Sequence, residues 1–454
     1  MADTSSDRSK MTIPAKEIPV TAEADVVVVG GGPAGFGAAL RAARSGADTI
    51  LIERFAIPGG NITTGFMPCA GRTPPLAGAH TELWERLEKE GYLYNIKERY
   101  PNNQVYHAYP GYYGMYAFNP DLGACVMMEM MQEAGVRFLF RTLFVDAAIE
   151  NNDTLDAVVV ENASGRQAIR GHVFVDATGR GDVVARAGLP FKNPGDRLGR
   201  VIPCGLMWKM SGVHFKRLLD YQKNENDPRL QKAIEKARVN GDIPDDLYRP
   251  VPPGTYAGSY KGHPHLNCYP AGEPGELTVW QDAPYEWNLD CAANGEDATR
   301  AEIEIRSLIV AEAKFLKKYI PGFENAYVSG IAPFLGIREG RHPVGEHVLT
   351  YDDITNRRKF PDAALRRSCR DPFDFSEEPR VLEFEIPYRS FLAKGVNNLL
   401  LAGESVSFEH DVLFCGMRSF GPSIQTGEVA GKAAGLAVKQ KIHPNTLQWA
   451  ESPA

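Results

Sequence analysis

The sequence predicts an α/β fold: a parallel sheet with helices following its strands, interrupted by a long middle region of different texture. Three observations lead there. A β-branched run at residues 25–29 ends in glycines and gives way to a helix-forming stretch. A second strand, ending at 176, runs into a tight turn and a helix, and a third, at 399–404, precedes a small-residue helix at 421–439. Apolar runs without polar alternation suit strands buried on both faces of a parallel sheet. Residues 190–330 differ, with Pro-rich loops, a charged stretch at 214–249 and aromatic, His-bearing loops at 256–287. At 454 residues the chain has room for two domains, and this interruption makes them intertwined.

Taken in order, residues 1–20 read as a tail. Asp25-Val-Val-Val-Val29 is the first strand, and Gly30-Gly31-Gly32-Pro33-Ala34-Gly35 contains G-x-G-x-x-G. Phe36 to Ser45 reads as a helix, and Thr49 to Ile52 as a second strand closed by Glu53. Strand, glycine turn, helix, strand and acid together form the Rossmann-type dinucleotide fingerprint. Gly30 allows the turn, Gly32 lets backbone approach a pyrophosphate, and Gly35 lets helix and strand pack closely. The helix N-terminus offers free N–H groups and a positive dipole end to the phosphates. Glu53 accepts the ribose hydroxyls, and its charge repels the 2′-phosphate of NADP.

Leu399-Leu-Leu-Ala-Gly403-Glu404, followed by Gly421-Pro422-Ser423-Ile424, resembles the closing element of the p-hydroxybenzoate hydroxylase-like FAD fold. That resemblance implies a Rossmann-type (ββα) FAD-binding domain with a discontinuous, mixed-sheet α+β substrate domain. It also implies an acid on the ribityl chain, here Glu404 after Gly403, where the family usually has Gly-Asp. A helix starting near Gly421, with Ser423 and Ile424, would then point at the flavin. Asp176-Ala177-Thr178-Gly179 resembles the second FAD motif of the same fold, and a strand from Gly135 to Val145 would set Val145 backbone against the adenine. Gly59-Gly60-Asn61-Ile62-Thr63-Thr64-Gly65 resembles the segment beside the flavin ring, so Gly60, Asn61 and Thr64 join Pro33, Ala34 and Arg54 in the expected cofactor set. Leu335 to Arg341, with Tyr351-Asp352-Asp353, resembles an arginine-bearing strand and turn. The chain is similar to the broad family of FAD-dependent oxidoreductases related to fumarate reductase flavoproteins and thiazole-biosynthesis enzymes. The expected FAD domain comprises 21–75, 118–190 and 392–440. The cap comprises 76–117 and 191–391, with 328–355 adjoining the flavin, and 441–454 is a tail.

A formal charge of −7 gives no basic excess for nucleic acid. No stretch reaches the ~20 apolar residues of a membrane span, and no signal-like leader opens the chain, so a cytoplasmic protein is expected. Seven cysteines are scattered without a CxxC pair and read as reduced core thiols. His263 and His265 alternate as on a strand, but no third ligand accompanies them and no metal site is expected. Tyr256, Tyr260, Asn267, Tyr269, Trp280 and Gln281 complete the candidate pocket groups.

Flavin dehydrogenation needs a group that removes a proton while hydride leaves. His410, between Glu404 and the helix at 421, is the leading base, and Arg418 is the candidate clamp for a substrate oxygen. Arg338 and Arg341 are weaker candidates, with Glu339 and Glu346 close enough in sequence to neutralise them. The expected reaction takes hydride from an alcohol, polyol, sugar or hydroxy acid. An ene-reductase, or a monooxygenase or halogenase, is the alternative. No second nicotinamide-binding unit is visible, so the electrons pass to or from an external partner such as oxygen, a quinone or a protein. A homo-oligomer is compatible with all of this.

Overall fold

The computed structural model describes residues 16–67, 69–70, 78–95, 116–151, 153–196, 199–249, 265–267, 275–374, 376 and 379–449. Tyr256, Tyr260, His263 and Tyr269 lie outside these residues. His265 and Asn267 fall on a strand whose side chains are not described.

Strand β1 (Val20–Val29) is central, pairing in parallel with β2 (Thr49–Ile52) on one side and with a long strand that ends at Asp176, described below, on the other. Two-sided pairing explains its composition. Val26 to Val29 are 0–2% exposed, and burying each contributes roughly 1.5 kcal/mol or more. Between β1 and β2, α1 (Pro33–Arg44) begins with Pro33 in its first turn, where a missing N–H costs nothing. Helices α2 (Ala79–Lys89) and α3 (Pro120–Glu133) follow, the latter capped by the Asn119 side chain.

The expected continuous strand from Gly135 to Val145 is two strands. β3 (Arg137–Leu139) pairs in parallel with β2, whereas β4 (Leu143–Glu150) pairs antiparallel with β5 (Thr154–Asn162). Arg141 at φ 51° makes the break, and only the fold reveals that the two halves serve different partners. β6 (Gly165–Asp176) takes β1 on one edge and shares the other. Its first half pairs antiparallel with β5, and its last residues pair in parallel with β13, defined below. The first sheet therefore has seven strands and mixed directions. α4 (Asp182–Arg186) leaves its C-terminal edge.

A second, four-stranded sheet holds β7 (Gly205–Ser211), β8 (His265–Asn267), β9 (Leu277–Asp282) and β10 (Tyr327–Ile331) in the order β8-β9-β7-β10. Its pairings among the described residues are antiparallel, so the direction mixing lies in the first sheet, where the β4–β5 hairpin joins parallel strands. Helix α5 (Gly295–Tyr319) covers this sheet and shares its core with Leu206, Trp208 and Val279. A ribbon of β11 (Ala363–Arg370) and β12 (Val381–Pro387) leads to β13 (Leu399–Leu401), the short α6 (His410–Val412) and the long α7 (Phe420–Gln440).

The small residues of α7 have a packing reason. A Cβ on Gly427 would lie 2.0 Å from the Ala34 carbonyl oxygen, one on Gly431 2.2 Å from that of Ala38, and one on Gly37 2.3 Å from that of Ile424. α1 and α7 therefore meet backbone to backbone. Residues 441–449, expected as a tail, pack on the core: Trp449 stacks on Tyr388 at 4.8 Å and the Tyr388 hydroxyl donates to the Pro444 carbonyl. Cys204, Cys291 and Cys415 are buried as expected, but Cys125 is exposed on the outer face of α3.

Candidate functional site

β1, β2, β6 and β13 end at one edge of the first sheet, the place where open α/β sheets bind ligands. The glycine turn follows β1. A Cβ on Gly30 (φ 100°) would lie 2.6 Å from the Ala177 carbonyl oxygen, and one on Gly35 would lie 1.8 Å from that of Gly30, so both are dictated by packing within the protein. Gly32 differs, since its Cβ position has nothing within 4 Å. Its neighbour across the turn is Gly60, whose Cβ position is 3.2 Å from the Gly32 Cα, and the Gly59 N–H donates to the Gly31 carbonyl at 2.7 Å. Residues 59–65 thus cross directly beside the turn. Within them, Asn61 Oδ1 and Thr64 Oγ1 are buried without a hydrogen-bond partner among the described residues. Pro33 starts α1 with no side-chain cap on its free N–H groups.

Glu53 follows β2 and is 5% exposed. Its two oxygens accept the N–H groups of Gly31 at 2.6 Å and Phe55 at 2.8 Å, which leaves lone pairs on each for two further donors. Burial holds its carboxyl above the usual range against these bonds. Arg54 is exposed, its guanidinium against the Phe334 ring at 4.9 Å, and Arg180 reaches the same ring at 5.7 Å. Burial, then repulsion from Arg54, pulls Arg180 down to about 10.

After β6, the Ala177 N–H donates to the Val29 carbonyl. Asp176 organises the turn: fully buried, it accepts the Thr178 hydroxyl at 2.7 Å and the N–H groups of Thr178, Val183 and Val184. Gly179 sits at φ 69°. After β13, Gly403 (φ 65°) abuts Ala34 and donates its N–H to Thr426 Oγ1 at 3.0 Å. Glu404 is half-buried, and desolvation pushes its carboxyl up to about 8 despite Arg418 and Arg180. Gly421 and Ser423 lie buried in the first turns of α7, whose N-cap Ser419 makes no side-chain bond. Ile424 is fully buried, with its carbonyl facing Gly37 across the helix crossing. Val145 occupies a register shift between Phe144 and Asp146, where a β-bulge frees a residue from the ladder.

The expected loop from Ser405 to Arg418 holds one short helical turn, α6, which continues into a kinked turn over Leu413–Met417 with Gly416 at φ 84°. His410 opens α6 and is 5% exposed. Its Nδ1 meets Asp411 Oδ1 at 3.1 Å, while Nε2 has no hydrogen-bond partner among the described residues and faces Glu339 Oε1 at 3.5 Å. The same Glu339 oxygen meets His342 Nε2 at 3.3 Å, and its carboxylate accepts the N–H groups of Gly195 and Ile202. Burial opposes this charge, but the His342 and Gly195 bonds and the nearby His410 together hold Glu339 below the usual range.

The expected neutralisation of Arg338 and Arg341 by Glu339 and Glu346 is corrected. Arg338 donates to Asp282 Oδ1 at 2.6 Å and to the Pro203 carbonyl, lying 4.4 Å from the Trp280 ring. Arg341 pairs with Asp182 at 2.9 Å. Sequence neighbours on an irregular strand point apart, and the partners come from the second sheet and from α4. Trp280 Nε1 also donates to Asp282 Oδ1, and Gln281 is buried with its amide on the Asp282 carbonyl. Arg418, half-buried over the Phe414 ring at 4.8 Å, donates to the Arg338 carbonyl at 3.5 Å. Sequence reasoning missed Asp282 and gave Glu339 the wrong partner, because adjacency to Arg338 was the only local signal and the true partner lies 56 residues away.

The model of the family described as FAD dependent oxidoreductase matches residues 25–452. The chain belongs to that family. Its cofactor is accordingly FAD, and the open Gly32 position, the oxygens of Asn61 and Thr64 that have no partner among the described residues, and the remaining lone pairs of Glu53 fit such a group. Among solved structures, the oxidoreductase is similar to a geranylgeranyl bacteriochlorophyll reductase-like protein of Thermoplasma acidophilum at 14% identity, with 92% of this chain and 80% of that one covered and a TM-score of 0.44. It is also similar to p-nitrophenol 4-monooxygenase of Pseudomonas putida, at 13% identity, with 93% and 82% covered and a TM-score of 0.44. The myxobacterial chondrochloren halogenase matches at 11%, with 93% and 76% covered and a TM-score of 0.43. No curated protein matches the chain. Among the described residues no helix is long and apolar enough to cross a membrane, and no group of three His, Cys, Asp or Glu is placed to hold a metal ion.

Proposed function

We propose that this FAD-dependent oxidoreductase is a dehydrogenase or oxidase that takes hydride from a small polar substrate, an alcohol, polyol, sugar or hydroxy acid, with His410 as its base. One observation carries the reading: a buried imidazole whose Nδ1 is engaged by Asp411 and whose Nε2 is left without a hydrogen-bond partner among the described residues. Asp411 accepting from Nδ1–H leaves the lone pair on Nε2, the atom that removes the hydroxyl proton. Glu339, 3.5 Å from Nε2, then stabilises the imidazolium that forms. A base oriented by one carboxylate and charge-balanced by another follows the general logic of acid–base sites.

When bound, FAD supplies the acceptor for the hydride. In this reading Gly30, Gly32, Pro33, Ala34 and Gly35 receive its pyrophosphate, and Glu53 and Arg54 attend the adenosine side with Val145. Gly60, Asn61 and Thr64, the Ala177-Thr178-Gly179 turn, Gly403-Glu404, and Gly421, Ser423 and Ile424 line the remainder. Arg418 binds a substrate oxygen through its guanidinium fork and screens Glu404.

The test is anaerobic mixing with a panel of polyols, sugars, hydroxy acids and amines while the oxidised-flavin absorbance is followed. A compound in the proposed class should bleach the flavin, and His410→Asn should keep the flavin spectrum while slowing that bleaching by ~10²–10⁴-fold. Bleaching by NADPH alone at comparable speed would favour a monooxygenase. An active His410→Asn enzyme would remove His410 from the chemistry.

A further inference from the structure

The second sheet carries a feature the hydride reading leaves unused. Cys204 and Cys291 are separated by 87 residues, yet their sulfurs stand 3.3 Å apart in the same apolar core, at 2% and 4% exposure. Cys204 immediately precedes β7 and follows Pro203, whose carbonyl receives Arg338. Its own carbonyl accepts the Ala283 N–H, one residue beyond Asp282. Cys291 lies in the short loop before α5, two residues from exposed Ala293 and three from exposed Asn294.

We propose that Cys204 and Cys291 are a reversible two-electron couple, a dithiol that closes to a disulfide on reaction with a low-molecular-weight disulfide and so places a second redox site beside the Arg338–Asp282 pair. The pair already occupies contact distance, and closing it shortens the sulfur separation to about 2.05 Å, a movement of roughly 1.2 Å that neighbouring side chains can absorb. The two sulfurs also divide the labour. Hydrogen bonding to Cys291, together with burial, raises Cys204 and keeps it protonated, while the same bond draws Cys291 down. Arg180 adds a positive charge near Cys291, and Arg338 one near Cys204.

The exchange balances in two steps. Cys291 thiolate attacks one sulfur of RSSR, forming Cys291–S–S–R and releasing RS⁻. Cys204 then attacks the Cys291 sulfur, releasing the second RS⁻, and the two cysteine protons pass to the two leaving thiolates. The net change is two protein thiols and RSSR going to one protein disulfide and two RSH, with two electrons moving from the protein to the small disulfide. Pro203, next to Cys204, and Asp282, next to the Ala283 whose N–H the Cys204 carbonyl accepts, both hold the Arg338 guanidinium, so the couple lies one residue from the partners of Arg338.

The experiment equilibrates the full-length, FAD-loaded protein with a series of reduced-to-oxidised glutathione ratios, alkylates the remaining thiols under denaturing conditions, and maps the digest by mass. The expected result is a Cys204–Cys291 linked peptide, two hydrogens lighter than the sum of its parts, whose yield follows the glutathione ratio and reverses with reductant. It should vanish in Cys204→Ser and in Cys291→Ser. Both cysteines remaining fully alkylatable across the series would overturn the proposal, as would cross-linking confined to Cys369 and Cys415 or a glutathione adduct on exposed Cys125 alone. The wild-type measurement decides the matter even if a serine variant fails to fold.

Discussion

At the scale of single residues, Glu339 is the side chain on which the proposed chemistry most depends without touching substrate. One of its oxygens stands against both His342 and His410, and the carboxylate is fixed by two backbone N–H groups, so it is a positioning residue for the imidazole. Removing its charge forfeits a charge-assisted contact of about 1.5–3 kcal/mol, or roughly 10–100-fold in rate. Glu339→Gln is therefore expected to lower kcat by that factor with little change in KM, measured by stopped-flow flavin reduction. A raised KM with unchanged kcat would place Glu339 in substrate binding instead. Arg418→Lys keeps the charge near Glu404 but loses the fork, and should raise KM more than it lowers kcat. Equal kcat loss in both variants would contradict the separate roles given to them.

At the scale of elements, two glycines that look alike in G-x-G-x-x-G have different duties. Gly35 has no room for a Cβ, whereas Gly32 has open space around the same position and an ordinary φ of −65°. Gly32→Val should fold with an unchanged urea midpoint for the apoprotein yet purify without FAD. Gly35→Val should fail to give soluble, cooperatively unfolding protein. FAD retained at full occupancy by Gly32→Val would show that the pyrophosphate lies elsewhere. The α1–α7 crossing makes a parallel case, since Gly427→Leu drives a side chain into the Ala34 carbonyl. Destabilisation above the usual ~1–3 kcal/mol of overpacking is expected there, because backbone rather than a movable side chain is in the way.

At the scale of the whole molecule, the two sheets have separate cores, and the second contains a buried acid. Glu312 on α5 is fully buried, accepts the Tyr248 hydroxyl at 2.7 Å and the Trp208 Nε1–H at 3.1 Å, and is pushed up to about 8 by desolvation. The folded protein holds this proton up to about pH 8, whereas the unfolded chain releases it near 4.5. Between those values the unfolded state binds fewer protons, so stability falls as pH rises. Glu404 and Glu428, raised to about 8 and about 7, add to the same slope. Urea midpoints should fall from about pH 5 to about pH 8, and Glu312→Gln should flatten part of that decline. An unchanged slope in the variant would mean that Glu312 is already ionised in the fold.

This division between scales also separates what was legible in the sequence from what was not. The valine run of β1 from Val26 to Val29, the glycine turn, Glu53, the Asp176-Ala177-Thr178-Gly179 turn and the Gly403-Glu404 corner were readable because each is a local pattern. In each a few residues carry the pattern, the order of the strands along the chain implies a parallel sheet, and the resemblance of the last two turns to a known fold implies an FAD-type edge. The break between β3 and β4 was hidden, since one apolar run can feed two partners. Only the tertiary structure brought Glu339 to His410, Asp282 to Arg338 and Cys204 to Cys291. Those pairs lie 56 to 87 residues apart, and what joins them is long-range packing, within the core of the second sheet for Cys204 and Cys291, which no short-range pattern encodes.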